Sequence, residues 1–183
     1  IEKLYFEAYR LGEVSNNISV AEPVFRDADL VSVDMTSIQS VFSGNFLQIN
    51  PNGFDGKEIC TLTRYAGISD KVSSFGIFNF NSGDQESVLI AQMIWYFIDG
   101  KNHRPEIKSF DDTQYFDKIF VPTEGYNYIF YRNVYTNQWW IEVDNTVDGE
   151  RSFEIISCSE KDYEQALNGE IPNRWWKYFK KFY

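Results

Sequence analysis

The residues best placed to do chemistry sit at the end of a short apolar run. Leu30-Val31-Ser32-Val33 leads into Asp34, Met35 and Thr36, a Pro51-Asn52-Gly53-Phe54 turn follows, and Glu58 comes soon after it. A strand that runs out into a carboxylate presents an oxygen donor where open α/β sheets take up ligands, outside the carboxyl ends of their strands. Asp34 can serve there as an oxygen ligand to a hard cation, or as a cap or acceptor for the turn that follows it. A lone carboxylate makes a weak metal site, so whatever binds needs further donors from elsewhere in the chain.

Those residues need elements to hold them. Ala28 to Asp34 reads as a buried strand of the kind parallel sheets use, and residues 37–56, rich in Ser, Asn, Gly and Pro, read as a long loop that either carries function or is poorly ordered. Asp55 is placed to cap a helix from about Gly56 to Gly67, with Gly67 ending it, and Val72 to Phe78 forms the next buried strand. Ser82 with Gln85 spells a capping box before a helix over Glu86 to Asp99. The apolar residues of that helix wrap nearly all round, which calls for cover on several sides. Upstream, Leu4, Tyr5, Ala8 and Leu11 have helical spacing up to about Gly12, and Pro23 permits a short helix from Ala21 to Asp27.

Beyond Pro105 the period changes. Lys118 to Val121, Tyr126 to Arg132, Gln138 to Val143 and Ser152 to Cys158 have strand character, with turn signals at Glu124-Gly125, Asn133 to Asn137 and Asp148-Gly149. They predict an antiparallel meander or hairpins. Helices at about Ser159 to Asn168, with Ser159 and Asp162 as a capping pair, and at Pro172 to Phe182 close the chain. This order predicts an α/β domain over residues 1–104 and a β-hairpin region with C-terminal helices over residues 105–183.

With 183 residues, 43% hydrophobic and 24% charged, the chain is long enough to bury a core and ordinary for a globular domain. A net charge of -10 argues against nucleic acid or anionic lipid as partner, because both are held by clustered Lys and Arg. The most basic run, Arg174 to Lys181, falls in the last helix, where cations complement the helix dipole. Cys60 and Cys158 read as reduced core thiols, and the single histidine, His103, as a solvated loop residue, so neither a Cys/His metal cluster nor a histidine triad is available. Val88 to Ile98, interrupted by Gln92, is too short to span a bilayer. The opening residues Ile1 to Arg10 lack the marks of a secretory leader and read as a chain entered midway, which leaves the cytoplasm as the expected location. The Trp139-Trp140 and Trp175-Trp176 pairs are read as core anchors or as a stacking platform, and strand alternation lets at most one of the first pair join a single flat surface.

The strand ending in Asp34, the Pro51 to Phe54 turn and Glu58, together with Arg64 to Ser74, Leu89 to Phe97 and Ile171 to Lys177, resemble the second half of the arginase, agmatinase and formimidoylglutamase family. The likeness is strongest to its formimidoylglutamase-like bacterial branch and extends over most of the chain. It implies the C-terminal half of a three-layer αβα parallel-sheet domain with an appended β-hairpin region and terminal helices. It also implies descent from manganese-dependent hydrolases of linear amidines and guanidines, whose two metal ions activate a bridging hydroxide.

By this resemblance Asp34 takes the place of the first carboxylate of the family's second metal motif, while Thr36 stands where the second carboxylate would be. Gly53-Phe54 with Glu58 is similar to a turn and glutamate on the packing and substrate side of the site. In Gly76-Ile77-Phe78-Asn79-Phe80-Asn81, Asn79 occupies the position of a substrate-contacting glutamate. The family's histidine-containing ligand motifs are not in these residues, and Asp27-Ala28-Asp29 lacks the histidine that would make it one. The expectation is therefore a partial, catalytically silent member. Asp34 would be its only metal ligand and manganese would not be tightly held. Asn79 and Glu58 would mark the substrate side, with no assignable catalytic residue. A small amidine or guanidine is the substrate class of an active parent, and a face left by a missing half-sheet favours self-association. The alternative is a non-catalytic binding or assembly module built on the aromatic hairpins.

Overall fold

Val31 and Val33 alternate with Leu30, Ser32 and Asp34, and that alternation sets how the first strand lies. The computed structural model describes residues 6–44, 49–81, 83–104, 109–145 and 152–181. It divides into two units, Tyr9–Pro105 and Glu106–Tyr183 with Ile1–Ala8. The fold is mixed α/β, with a parallel strand pair in the first unit and a four-stranded antiparallel sheet in the second.

In the first unit α1 (Leu11–Asn16) and α2 (Glu22–Arg26) flank a 3-10 turn at Ile18–Ala21, and proline sits in the first turn of α2 as expected. The helix expected up to Gly12 is not there. Residues 6–10 are non-helical, residues 1–5 lie outside the described ones, and Glu7 accepts a hydrogen bond from Lys177 at 2.9 Å instead of supporting a helical turn. Strand β1 (Leu30–Asp34) pairs in parallel with β2 (Ser74–Phe78), Leu30 facing Ser74 and Asp34 facing Phe78. Val31 and Val33 are buried, whereas Leu30, Ser32 and Asp34 are exposed. Neither strand is buried on both faces as expected. Among the described residues, helices cover only the face bearing Val31, Val33, Phe75 and Ile77, and a strand covered on one face alternates.

The cover comes from α4 (Gly56–Ile68) and α5 (Asp84–Asn102), with the short α3 (Ser40–Ser43) between the strands. Asp55 caps α4 as expected. Gly67 does not end it. The helix runs on to Ile68, and Gly67 is needed because a Cβ there would stand 2.2 Å from the Phe97 carbonyl oxygen and 3.1 Å from Gly100 Cα. Gly100 returns the constraint, its hypothetical Cβ lying 2.5 Å from the Arg64 carbonyl oxygen. Around this contact Arg64 Nε donates to Asp99 at 2.8 Å, and Arg104 donates to the Gly67 carbonyl at 2.8 Å, an acceptor that the helix end would leave open, and to the Val72 carbonyl at 2.9 Å. The N-cap of α5 is Gly83, without a side-chain bond; Ser82 lies outside the described residues, and Gln85 Nε2 donates to the Val41 carbonyl at 2.7 Å. Leu89 and Met93 bury one side of α5, while Val88, Ile94, Trp95 and Ile98 stay exposed, so the all-round cover expected of it is absent among the described residues. No helix of the described residues is long and apolar enough to cross a membrane.

The second unit follows the expected meander closely. Strands β3 (Phe116–Pro122), β4 (Asn127–Asn133), β5 (Trp139–Asp144) and β6 (Phe153–Cys158) pair in chain order, and α6 (Glu160–Leu167) and α7 (Asn173–Phe179) follow. The Asp148-Gly149 turn lies outside the described residues. Ser159 and Asp162 form the expected capping box of α6, and Asp162 also accepts from the backbone N–H of Arg174 at 3.2 Å, which holds the start of α7. Trp139 and Trp140 are both buried, on opposite faces of β5. Trp139 stacks on Tyr163 at 4.6 Å, and Trp140 meets Phe110 and Phe116 edge-on. The pair therefore anchors two cores and forms no platform. Cys60 in the first unit and Cys158 in the second are reduced and buried.

Gly67→Ala is expected to lower the stability of the chain by about 1–3 kcal/mol, since backbone atoms of α5 must move to admit the methyl group. Urea denaturation checks this. Gly12→Ala, where an added Cβ meets nothing within 4 Å, is expected to leave the midpoint unchanged or slightly raised.

Candidate functional site

Strand β1 ends at Asp34, and the chain turns at once into a 3-10 turn at Met35–Ser37 whose first N–H groups have no partner within the turn. The Asp34 carboxylate takes up one of them. Its Oδ1 accepts from the Thr36 backbone N–H at 2.9 Å and from the Thr36 hydroxyl at 2.7 Å, and its Oδ2 accepts from Asn79 Nδ2 at 2.9 Å. The parallel register sets Asp34 opposite Phe78, so the residue after β2 arrives beside the end of β1. Asn79 stands there with a φ of 57°, a left-handed conformation that asparagine tolerates better than most residues. Three of the four residues singled out in the sequence thus meet at one point.

The loop that follows is built against this strand end. Asn50 Nδ2 donates to the Thr36 carbonyl at 2.8 Å, Gln39 Nε2 donates to the Gly53 carbonyl at 2.9 Å, and the Phe54 N–H donates to the Ser37 carbonyl at 2.9 Å. Gly53 has no alternative, because a Cβ on it would lie 2.4 Å from the Ser37 carbonyl oxygen. Its described part is therefore hydrogen-bonded into the site; residues 45–48 lie outside the described ones. A cavity of about 400 Å³ opens beside β1, with Val31, Val33, Asp34, Ser37, Phe54 and Leu62 among its walls.

Glu58 is elsewhere. Its carboxylate accepts from the Asp55 N–H at 2.8 Å while its own N–H donates to Asp55 Oδ1 at 2.7 Å, the reciprocal pair of a capping box. His103 is the exposed C-cap residue of α5, its Nδ1 2.7 Å from the Asp99 carbonyl oxygen. A residue the sequence reading passed over, Glu86, is 2% exposed and accepts a short hydrogen bond from the Asn81 N–H. It fastens the segment that carries Asn79. The signal available for it was a glutamate in the first turn of a long helix, where the dipole favours negative charge.

The Thr36 backbone N–H, then the Thr36 hydroxyl, then the Asn79 amide hold the Asp34 carboxyl below the usual aspartate range. All three stabilise the ionised form. The cluster therefore consists of one carboxylate whose two oxygens already receive donors, one hydroxyl and one carboxamide. Among the described residues no group of three or more His, Cys, Asp or Glu side chains is placed to hold a metal ion.

No protein-family model matches the chain, and no curated protein does. Among solved structures, the chain is similar to the formiminoglutamase of Trypanosoma cruzi, crystallised in its oxidized form with manganese, at 21% sequence identity and a TM-score of 0.47. The alignment covers 52% of this chain and 36% of that one, so the chain spans about a third of the length of that protein.

The carboxyl titration of Asp34, followed by NMR, is expected to have its midpoint below that of an unperturbed aspartate. Because the folded value is depressed, the hydrogen bonds contribute their stability above the unfolded aspartate range and lose it as pH falls through the folded midpoint. Thr36→Val should move the midpoint part of the way back up, since the backbone N–H remains, and Asn79→Ala should move it less. An ordinary midpoint in the unaltered protein would refute the arrangement.

Proposed function

We propose that this chain is an arginase-like scaffold whose strand-end site is closed by its own hydrogen bonds, and that it serves in binding or assembly rather than in hydrolysis. What supports the descent is the sequence itself: the strand ending in Asp34, the Pro51 to Phe54 turn and the stretches of likeness around them. What supports the loss of catalysis is a single observation. Thr36 and Asn79, which stand where the family's pattern has two acids, are the two residues that donate to Asp34.

Carboxylates gathered at the position of a metal centre repel one another unless cations lie between them. Replacing two of three by a hydroxyl and a carboxamide removes that repulsion and supplies donors in place of the cations. The remaining carboxylate is then satisfied without metal. For the two-manganese centre that the resemblance implies, the residues present do not fit: a hydroxyl is a poor ligand for a hard cation, Asn79 turns its amide nitrogen and not its carbonyl oxygen to Asp34, and the Asp34 oxygens already accept hydrogens. The negative charge that would grip an amidinium or guanidinium substrate is likewise missing at Asn79.

Dialysis against manganese followed by elemental analysis is expected to leave less than one ion per chain, and two tightly held ions would overturn the proposal. The double variant Thr36→Asp with Asn79→Glu is expected to melt at a lower temperature than the unaltered chain in metal-free buffer, because three carboxylates would then face one another. It should release no urea, ammonia or formamide from amidine and guanidine substrates, with too few ligands to hold a metal pair. Release of any of these products by the double variant would show that the strand end needs only those two groups to work.

A further inference from the structure

We infer that the free edge of β1 is a docking site for an extended peptide segment of a partner protein, one that alternates apolar and polar residues and carries a basic residue at its end. The observation is the wall of the cavity beside this strand. The cavity measures about 400 Å³ and meets Val31, Ser32, Val33 and Asp34, four consecutive residues whose side chains alternate between the two faces of the sheet. A cavity on either face would meet every second residue, so one that meets all four runs along an edge. Strand β2 occupies one edge of β1, and none of its residues lines the cavity. The cavity therefore follows the other edge, where no strand lies among the described residues. Val14 of α1, Val24 and Phe25 of α2 and Leu62 of α4 form much of its apolar wall, so helices reach past β1 and cover space in which the sheet has no strand. All of these residues belong to the Tyr9–Pro105 unit.

Every second residue of a strand turns its backbone N–H and C=O toward the same edge, and such a row of unpaired donors and acceptors takes up an added strand. Main-chain bonds accept any extended segment, and the walls choose among them. Helices cover one face of the sheet and leave the other open among the described residues, so an added strand needs apolar side chains toward the helices and polar ones away from them. Charge sets the end of the segment. Asp34 is the only charged residue among those described in the lining, and it stands exposed where β1 ends, with three donors favouring its ionised form. A lysine or arginine of the partner complements it. A second copy of this chain is the poorer occupant, because two chains of net charge -10 repel each other. The inference gives a partner to the binding role proposed above without resting on the loss of catalysis: two retained manganese ions would overturn that reading alone, and absence of peptide binding would overturn this one alone.

The test is a titration of the whole chain with a fluorescently labelled peptide that alternates valine and threonine between two lysines, read by anisotropy, with amide hydrogen exchange followed by NMR. Binding should be saturable and should slow exchange at alternate amides of β1. Two further versions of the peptide, N-methylated at the valines only or at the threonines only, separate strand pairing from mere filling of an apolar cavity. In an added strand one set of amides faces β1 and the other faces away, so one version should bind at least about tenfold more weakly and the other nearly as well as the parent. Asp34→Asn should weaken binding about two- to fivefold, as expected for one exposed ion pair. Val24→Arg, which sets a cation in the half-buried part of the wall, should abolish binding with unchanged circular dichroism. No saturable binding, equal effects of the two methylation patterns, or β1 amides that keep their exchange rates would overturn the docking site. Slowed exchange at those amides that grows with protein concentration in the absence of peptide would make the occupant a second copy and overturn the proposal as well.

Discussion

Two parallel strands lying side by side bury too little of themselves to stand, and the Tyr9–Pro105 unit depends on α4 and α5 approaching closely enough to seal one face of them. Gly67 and Gly100 make that approach possible, since either side chain would collide with backbone of the opposite helix. The seal decides which residues of β1 turn inward. With Val31 and Val33 against the helices, the period of two turns Asp34 outward, onto the uncovered face. The exposure of the strand-end carboxylate is thus a consequence of helix packing that occurs around Gly100, far along the chain from it.

An exposed carboxylate at a strand end can be satisfied by water, by cations brought from solution, or by donors supplied by the chain. This chain supplies donors, and it supplies them from two separate segments. Thr36 contributes a backbone and a hydroxyl donor from the turn that directly follows β1, while Asn79 contributes its amide from beyond β2, held by a left-handed backbone and by the anchoring of Asn81 to the buried Glu86. Each donor favours the charged form, so the cluster joins the ends of the two strands while keeping the negative charge of Asp34.

What the sequence made legible follows from the range of the interactions involved. The four strands of the meander and the Ser159 cap were readable because alternation, turn residues and capping pairs are local. The Asp55 and Glu58 pair had the same local signature, an acid three residues before a glutamate, and that spacing speaks for a cap more directly than for a substrate contact. Gly67 looked like a helix terminator because a glycine closing a periodic stretch usually is one; its partner Gly100 is thirty-three residues away, and only the packed helices reveal the reason for it. The burial of β1 and β2 was overestimated for the same cause, since a short apolar run does not say how many layers will cover it. The meeting of Asp34 with Asn79 required the strand register, which no spacing in the sequence displays.

The two thiols have a use that follows from where they sit. Each unit holds one, Cys60 at 5% and Cys158 at 1% exposure, and burial raises the Cys60 pKa, which keeps it protonated and slow to react. An alkylating reagent can reach either sulfur only when the unit around it opens. The chain therefore carries two built-in clocks, and the pace at which each cysteine is capped reports the breathing of the unit that holds it.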